Sequence, residues 1–427
     1  MSRRLLTAEI LAVGSELTVG ETRDTNGSEL AASLTAAGVR IGRITALPDD
    51  LSTVREAFIG GLARSDLVVS SGGLGPTPDD LTREAIASVV GQSPTVDPAL
   101  ERWLRRLWKR RGVPFPELNL KQAWLLPSAT ALPNPNGTAP GWWVDCPDDR
   151  VLVALPGPPR EMRPMWHDEA MPRLRRRGLG QPIVIRTLRL TGIGESQVAD
   201  LLGEALLRAT NPVVATYARA DAVDVRISAL ARLPEGAEGV ADTGADGVAD
   251  TGADGVADAT ALADTAERAV LRALGPHVWG RGSVGWADVI GATLAAAGWT
   301  LASSEHGTGG SLAALVGDVD WLRLAERHRD PLPRTADLER AAARVRATGA
   351  ADVGVAVSAR PRGRDTAVSV VVVTPSATHR ERRVAFLGGA LGRQRSALAA
   401  ADVILTTLRG GIRSGKEPGA LPSEPSR

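Results

Sequence analysis

Apolar positions along the first ninety residues switch repeatedly between two periods. Residues 8–13 form a short apolar run of strand length. Leu30, Ala31, Leu34 and Ala37 then recur at helical spacing, and Gly38 ends that pattern. A second strand is predicted at 39–45. Leu51, Val54, Phe58, Ile59 and Leu62 mark one face of a second helix, 66–71 reads as a third strand and 79–90 as a third helix. Alternation of this kind, with strands apolar on both faces, predicts an α/β fold: a parallel sheet between two layers of helices, joined by right-handed crossovers. Ligands bind such sheets beyond the carboxyl ends of the strands. The loops at 14–26, 46–50 and 72–80 are therefore the places to look.

Further along, 151–155 is another strand, followed by a helix to about 175. Strands at 182–191 and 221–230, with a helix starting near Glu195, suggest a small α+β unit. The octad Gly-Val-Ala-Asp-Thr-Gly-Ala-Asp then occurs at 239–246 and again at 247–254, and restarts at Gly255. Its period does not suit a calcium-binding β-helix, and a repeat-expanded linker is the expectation. A third unit follows, with helices at 260–274 and 284–298, a strand at 300–304, a helix at 338–348, strands at 352–357 and 367–373, and a helix near 388–401. The expected division is 1–175, 176–235, a linker at 236–260, an α/β domain at 261–411 and a disordered polar tail at 412–427.

Composition narrows the classes. Fifty Lys and Arg face 49 Asp and Glu, a net charge of +1, so no broad field attracts nucleic acid or an anionic membrane. Aromatic and basic residues are not strongly interleaved, and no direct nucleic-acid contact is expected. The single cysteine, Cys146, fits a reducing cytoplasm. Glu9 interrupts the apolar run near the N-terminus, against a signal peptide, and no apolar stretch of about 18 residues predicts a membrane span. Basic charge is almost all arginine; the lysines are Lys109, Lys121 and Lys416.

The densest chemical signal is residues 70–82, Ser-Ser-Gly-Gly-Leu-Gly-Pro-Thr-Pro-Asp-Asp-Leu-Thr. Gly72, Gly73 and Gly75 let backbone approach a ligand and present N–H groups to phosphate oxygens, and the next helix offers its positive end. Pro76 and Thr77 continue the loop. A plainer reading is also open: Thr77 as N-cap, Pro78 as first helical residue and Asp80 closing a capping box. Two carboxylates, Asp79 and Asp80, beside a phosphate cradle favour a bridging divalent cation. Gly14, Ser15 and Glu16, with Asp24 and Asn26, follow the first strand. Asp49 and Asp50 follow the second, and one of them can simply cap the helix after it. Asn136, Gly137 and Thr138 lie in a turn-rich loop.

Eight ordered stretches carry a resemblance over residues 8 to about 230: AEILAVGSEL (8–17), DTN (24–26), SSGGLGPTPDDLT (70–82), NLKQA (119–123), LPNPNGTAPG (132–141), LPGPPREM (155–162), GIGES (192–196) and VATYA (214–218). Together they resemble the CinA (competence/damage-inducible protein A) family, whose first domain is similar to the molybdopterin-binding fold. The resemblance implies metal-dependent cleavage of a nucleotide pyrophosphate, ADP-ribose to AMP and ribose 5-phosphate, with Mg, Mn or Co as the cation and a small-molecule nucleotide as substrate. It implies Asp80 and Asp49 as catalytic carboxylates, although the family's usual Gly-Asp-Asn reads Pro48–Asp49–Asp50 here. A homodimer is the expected assembly. The alternatives are a molybdopterin- or nucleotide-binding enzyme of cofactor assembly and a non-catalytic nucleotide sensor.

Family members with a C-terminal domain often deamidate nicotinamide mononucleotide, through a Glu-Ser-Cys-Thr-Gly-Gly motif and a later lysine. The matching stretch here is Glu305–His306–Gly307–Thr308–Gly309–Gly310, with histidine in the serine position, and no lysine occurs between Lys121 and Lys416. An imidazole does not replace a hydroxyl in acyl transfer without new partners. A folded but inactive deamidase domain is expected.

Overall fold

The computed structural model describes residues 3–219, 222–232 and 252–413. The chain divides into two compact units, Met1–Val184 with Ala229–Ala261, and Ile185–Ser228 with Leu262–Arg427.

The first unit holds a six-stranded sheet. Its spatial order is Arg40–Leu47, Thr7–Val13, Leu67–Ser71, Val151–Leu155, Gly141–Asp145 and Ala129–Leu132. The first four strands are parallel, as the apolar runs predict. Every residue of Leu67–Ser71 and of Val151–Leu155 is buried, as expected of strands covered on both faces. The last two strands are antiparallel, a departure from the purely parallel sheet expected. The cause is local: only five residues separate Asp145 from Val151, too few for a crossover helix. Asp148 and Asp149 both take φ of 59° there, and the Cys146 N–H donates to the Arg150 carbonyl at 2.9 Å.

Helices Asn26–Ala36 and Leu51–Arg64 fall where periodicity places them. The predicted 79–90 helix starts later, at Thr82, and runs to Val90. Residues 77–80 form a separate turn in which the Asp80 N–H donates to the Thr77 carbonyl at 3.1 Å. Two apolar cores sandwich the sheet. Ile10, Leu30, Val69, Val153 and Trp166 belong to one; Leu11, Phe58, Val68, Ile86 and Trp142 belong to the other.

In the second unit a four-stranded sheet runs Val213–Ala218, Val223–Leu230, Ile183–Leu190 and Val278–Arg281. The apolar pattern predicts neither the first strand nor the fourth, which comes from beyond the repeat and pairs antiparallel with Ile183–Leu190. The middle fold is therefore not closed at residue 235. Its core takes Ala266, Val270 and Leu274 from the Gly252–Leu274 helix, packed on Val225 and Ile227. That helix also starts inside the expected 236–260 linker. The end of the repeat happens to place Ala259, Ala263, Ala266 and Val270 at helical spacing, and all four are buried. The two complete octads lie almost wholly outside the described residues.

A five-stranded sheet completes this unit, in the order Leu322–His328, Leu301–His306, Val353–Arg362, Asp365–Val373 and Thr378–Ala385. The outer strands 322–328 and 378–385 escaped prediction, since both are charged edge strands with weak apolar alternation. The last helix, Gly389–Arg413, passes the boundary set at 411.

Candidate functional site

All the loops singled out by sequence collect at one edge of the six-stranded sheet, the carboxyl ends of its four parallel strands. Gly14 follows Val13 there and donates its N–H to the Leu47 carbonyl at 2.9 Å. Gly72 follows Ser71 and donates to the Leu155 carbonyl at 2.9 Å. Gly72 has φ of +109°, and a Cβ on it would stand 1.9 Å from the Val13 carbonyl oxygen. Only glycine lets the third strand's exit loop lie this close to the first strand. A Cβ on Gly73 would meet the Thr82 hydroxyl at 2.2 Å, and one on Gly75 would meet the Asp80 carboxylate at 2.2 Å. The loop is thus folded tightly onto its own aspartate.

That packing separates the candidate carboxylates by role. Asp80 Oδ2 accepts the Thr77 N–H at 2.9 Å and the Thr77 hydroxyl. Only half of a capping box is present, since the Asp80 N–H goes to the Thr77 carbonyl and not to its hydroxyl, and the bonding closes the 77–80 turn and not the helix, whose N-cap is Leu81. Asp80 Oδ1 has no partner among the described residues. Asp79 is fully exposed; the neighbouring Thr77 hydroxyl, its own N–H and the Lys121 charge hold its carboxyl below the usual range. Of the aspartates after the second strand, Asp50 is the cap: it accepts from Thr53 N at 2.8 Å, and hydrogen bonds from Thr53 and Ser52 pull its pKa down to about 2. Asp49 turns to the first loop, accepting the Ser15 N–H at 2.7 Å while its own N–H donates to Ser15 Oγ at 3.1 Å. Asp24 serves the next helix by accepting from Gly27 N at 2.8 Å. Glu16 folds back over Gly14.

Asn26 is buried, and its amide donates to Ser71 Oγ at 2.8 Å and to the Gly157 carbonyl at 2.6 Å. The carbonyl partner fixes the amide orientation and leaves Oδ1 buried without a donor. Asn136 donates to the Arg160 carbonyl at 2.8 Å, and a Cβ on Gly137 would stand 1.9 Å from Glu161 Oε2. Thr138 lies half-buried in the same loop. The 133–140 loop is therefore pinned to the start of the Pro159–Pro164 helix, which follows the fourth parallel strand. No direct contact joins Asp49 to Asp80 or either to Asn136.

Several residues that organise this edge escaped sequence reasoning. Arg83 is fully buried and donates to the Leu74 carbonyl at 2.7 Å and the Pro140 carbonyl at 3.1 Å, tying the glycine loop to the 133–140 loop. Burial lowers its pKa to about 10, still far above neutrality, so it keeps its charge. Lys121 pairs with Glu84 at 2.6 Å and donates to the Thr77 and Asp80 carbonyls, holding the turn from behind. Asn134 donates to the Ala139 carbonyl at 2.9 Å and to Glu161 at 2.8 Å. Lys121 was findable, being one of three lysines in an arginine-rich chain; Arg83 looks like any helix arginine.

The chemistry of the donor set suits a hard divalent cation in part. Among the described residues no group of three His, Cys, Asp or Glu side chains stands ready to hold a metal. Asp79 and Asp80 offer carboxylate oxygens on one turn, and magnesium-type ions commonly take one or two carboxylates, with water and substrate phosphate completing the shell.

In the second unit, His306 ends the Leu301–His306 strand, buried, with its ring stacked on His328 at 4.4 Å and its Nε2 3.0 Å from Ser304 Oγ. Burial, then the charges of His328 and Arg344, lower its pKa to about 4, so it is neutral near pH 7. Glu305 is also buried and accepts from Thr308 Oγ1, Leu312 N and Ala313 N at 2.6–2.9 Å. His306 thus has neither an activating base nor an exposed face.

The family model described as "Probable molybdopterin binding domain" matches residues 9–176, and that described as "Damage-inducible protein CinA KH domain" matches 185–251. A "CinA-like protein" of Deinococcus deserti is 45% identical over 319 residues, 74% of this chain and 71% of the relative. One from Deinococcus radiodurans is 44% identical over 317 residues, 74% and 72% of the two chains. Among solved structures, the protein CinA of Thermoplasma acidophilum is 36% identical, covering 38% of this chain and 96% of that one, with a TM-score of 0.36.

Proposed function

The chain belongs to the CinA family, and from that premise we propose that its first unit hydrolyses a nucleotide pyrophosphate linkage, with an ADP-ribose-like substrate giving AMP and ribose 5-phosphate. The observation that carries this reading is the convergence of the Gly72–Gly75 loop, Asp80 and Asp49 at one strand-end edge. Loop N–H groups hold phosphate oxygens where charge develops. Asp80, with Oδ1 free and Oδ2 fixed by Thr77, orients the attacking water, and Asp49 does so from the neighbouring loop. Asp79 and Asp80 hold the Mg, Mn or Co ion; when bound, that ion neutralises phosphate charge and makes water more acidic. The buried Asn26 Oδ1 accepts a hydrogen bond from a substrate hydroxyl or amino group. The second unit keeps its deamidase-like fold without deamidase activity, on the evidence of the neutral, enclosed His306.

The same edge suits a second reading, adenylyl transfer in cofactor assembly, favoured by the match to a molybdopterin-binding family. Substitution separates catalysis from binding. Asp80→Asn keeps an acceptor for the Thr77 N–H, so the turn stays folded. It is expected to lower kcat for AMP release by about 10²–10⁴-fold with nucleotide affinity retained. Full activity in this variant would rule Asp80 out.

A further inference from the structure

The Pro98–Arg111 helix, Pro-Ala-Leu-Glu-Arg-Trp-Leu-Arg-Arg-Leu-Trp-Lys-Arg-Arg, carries six cations and one carboxylate. The near-neutral charge of the whole chain conceals this surplus. The helix is rigidly framed: Asp97 Oδ1 accepts from Ala99 N and Leu100 N at 2.8 Å, and Gly112, with φ of 69°, closes the other end. Its apolar stripe is already occupied. Leu104 and Trp108 are buried, packed with Ala123, and Trp108 meets Phe115 edge-on at 5.5 Å. Arg105 is used internally, bonded to Glu101 at 2.8 Å and Glu117 at 3.3 Å. Arg111 lies over the Trp108 ring at 5.1 Å. Arg102, Arg106, Lys109 and Arg110 are exposed and have no carboxylate partner among the described residues. Three of them, with half-buried Trp103, line an open groove of about 700 Å³.

We propose that this groove binds single-stranded nucleic acid, with phosphates on Arg106, Lys109 and Arg110 and a base stacked against Trp103. Arg106 stands one helical turn from Lys109 and Arg110, a spacing that suits successive phosphates, and a nucleic-acid base can stack on an indole only when it is itself unstacked. A duplex hides those faces. A lipid surface needs an apolar stripe to insert, and here that stripe is covered by protein. An acidic peptide would satisfy the cations but offers no planar group to the exposed part of the Trp103 ring, whose other side packs on the Leu104–Trp108 cluster.

The test uses the full-length protein and a fluorescein-labelled 20-nucleotide oligothymidylate, followed by anisotropy at 20–200 mM salt. Binding should weaken with salt, with a log–log slope of about −2, as for three phosphate contacts on a single strand. Charge reversal (R106E, K109E and R110E together) should abolish binding while nucleotide cleavage stays unchanged. Trp103→Ala should weaken binding about tenfold at an unaltered salt slope. The proposal is overturned if the wild type shows no binding at 20 mM salt or if the triple variant binds like the wild type. Equal or tighter binding of duplex, polyglutamate or phosphatidylserine vesicles overturns it too.

Discussion

At the scale of single residues, Gly72 and Asp80 show two kinds of dependence on sequence. Gly72 is a matter of space: a side chain would collide with the Val13 carbonyl and force an L-residue to φ of +109°. Gly72→Ala is expected to destabilise the first unit by about 2–4 kcal/mol, read as a lower urea midpoint; an unchanged midpoint would mean that the two strand ends are not so close. Asp80 is a matter of chemistry, and sequence left it between cap and catalyst. The structure divides those roles among neighbours. Asp50 caps a helix and Asp24 bonds to the first turn of another, while the Asp80 carboxylate bonds only within its own turn and keeps one oxygen free. Spacing alone did not separate them, because a capping box and this turn share the same three-residue interval.

At the scale of elements, prediction succeeded where burial dictates the pattern. Strands 7–13, 67–71 and 151–155 are buried almost throughout and read as mainly apolar runs. It failed where pairing, not burial, makes the element: the charged strand Leu322–His328 exists because it extends the sheet beside Leu301–His306. That pairing sets His306 against His328 and brings Glu326, Arg344 and the Asp330 backbone around the imidazoles. Since the His306 pKa falls from 6.5 to about 4 on folding, the unfolded chain binds more protons between those values. Stability of this sheet is therefore full above pH 6.5 and declines as pH falls toward 4, by about 3 kcal/mol. Protection factors of the 301–306 amides, exchange rates corrected for the intrinsic pH dependence, should fall over that window, and His306→Asn should flatten the dependence. Protection factors in the wild type that do not change with pH would show that the imidazole is not desolvated.

At the scale of the whole chain, the sequence disclosed the α/β class, the strand-end edge and the loops that meet there. What it concealed was long-range: the strand at 278–281 that completes the middle sheet, and the buried Arg83 that ties the glycine loop to Pro140, 57 residues further on. Neither leaves a local signature, because each depends on partners distant in sequence. Family membership then sets the context, and the first unit's edge carries the carboxylates and glycines that the proposed hydrolysis needs, while the second unit's histidine is enclosed. The most direct test of this account is incubation of the purified full-length protein with ADP-ribose and Mg, Mn or Co ions, following AMP and ribose 5-phosphate. Equal release of both products, abolished by chelation, is the predicted result; tight nucleotide binding with no AMP under any of the three metals would contradict it.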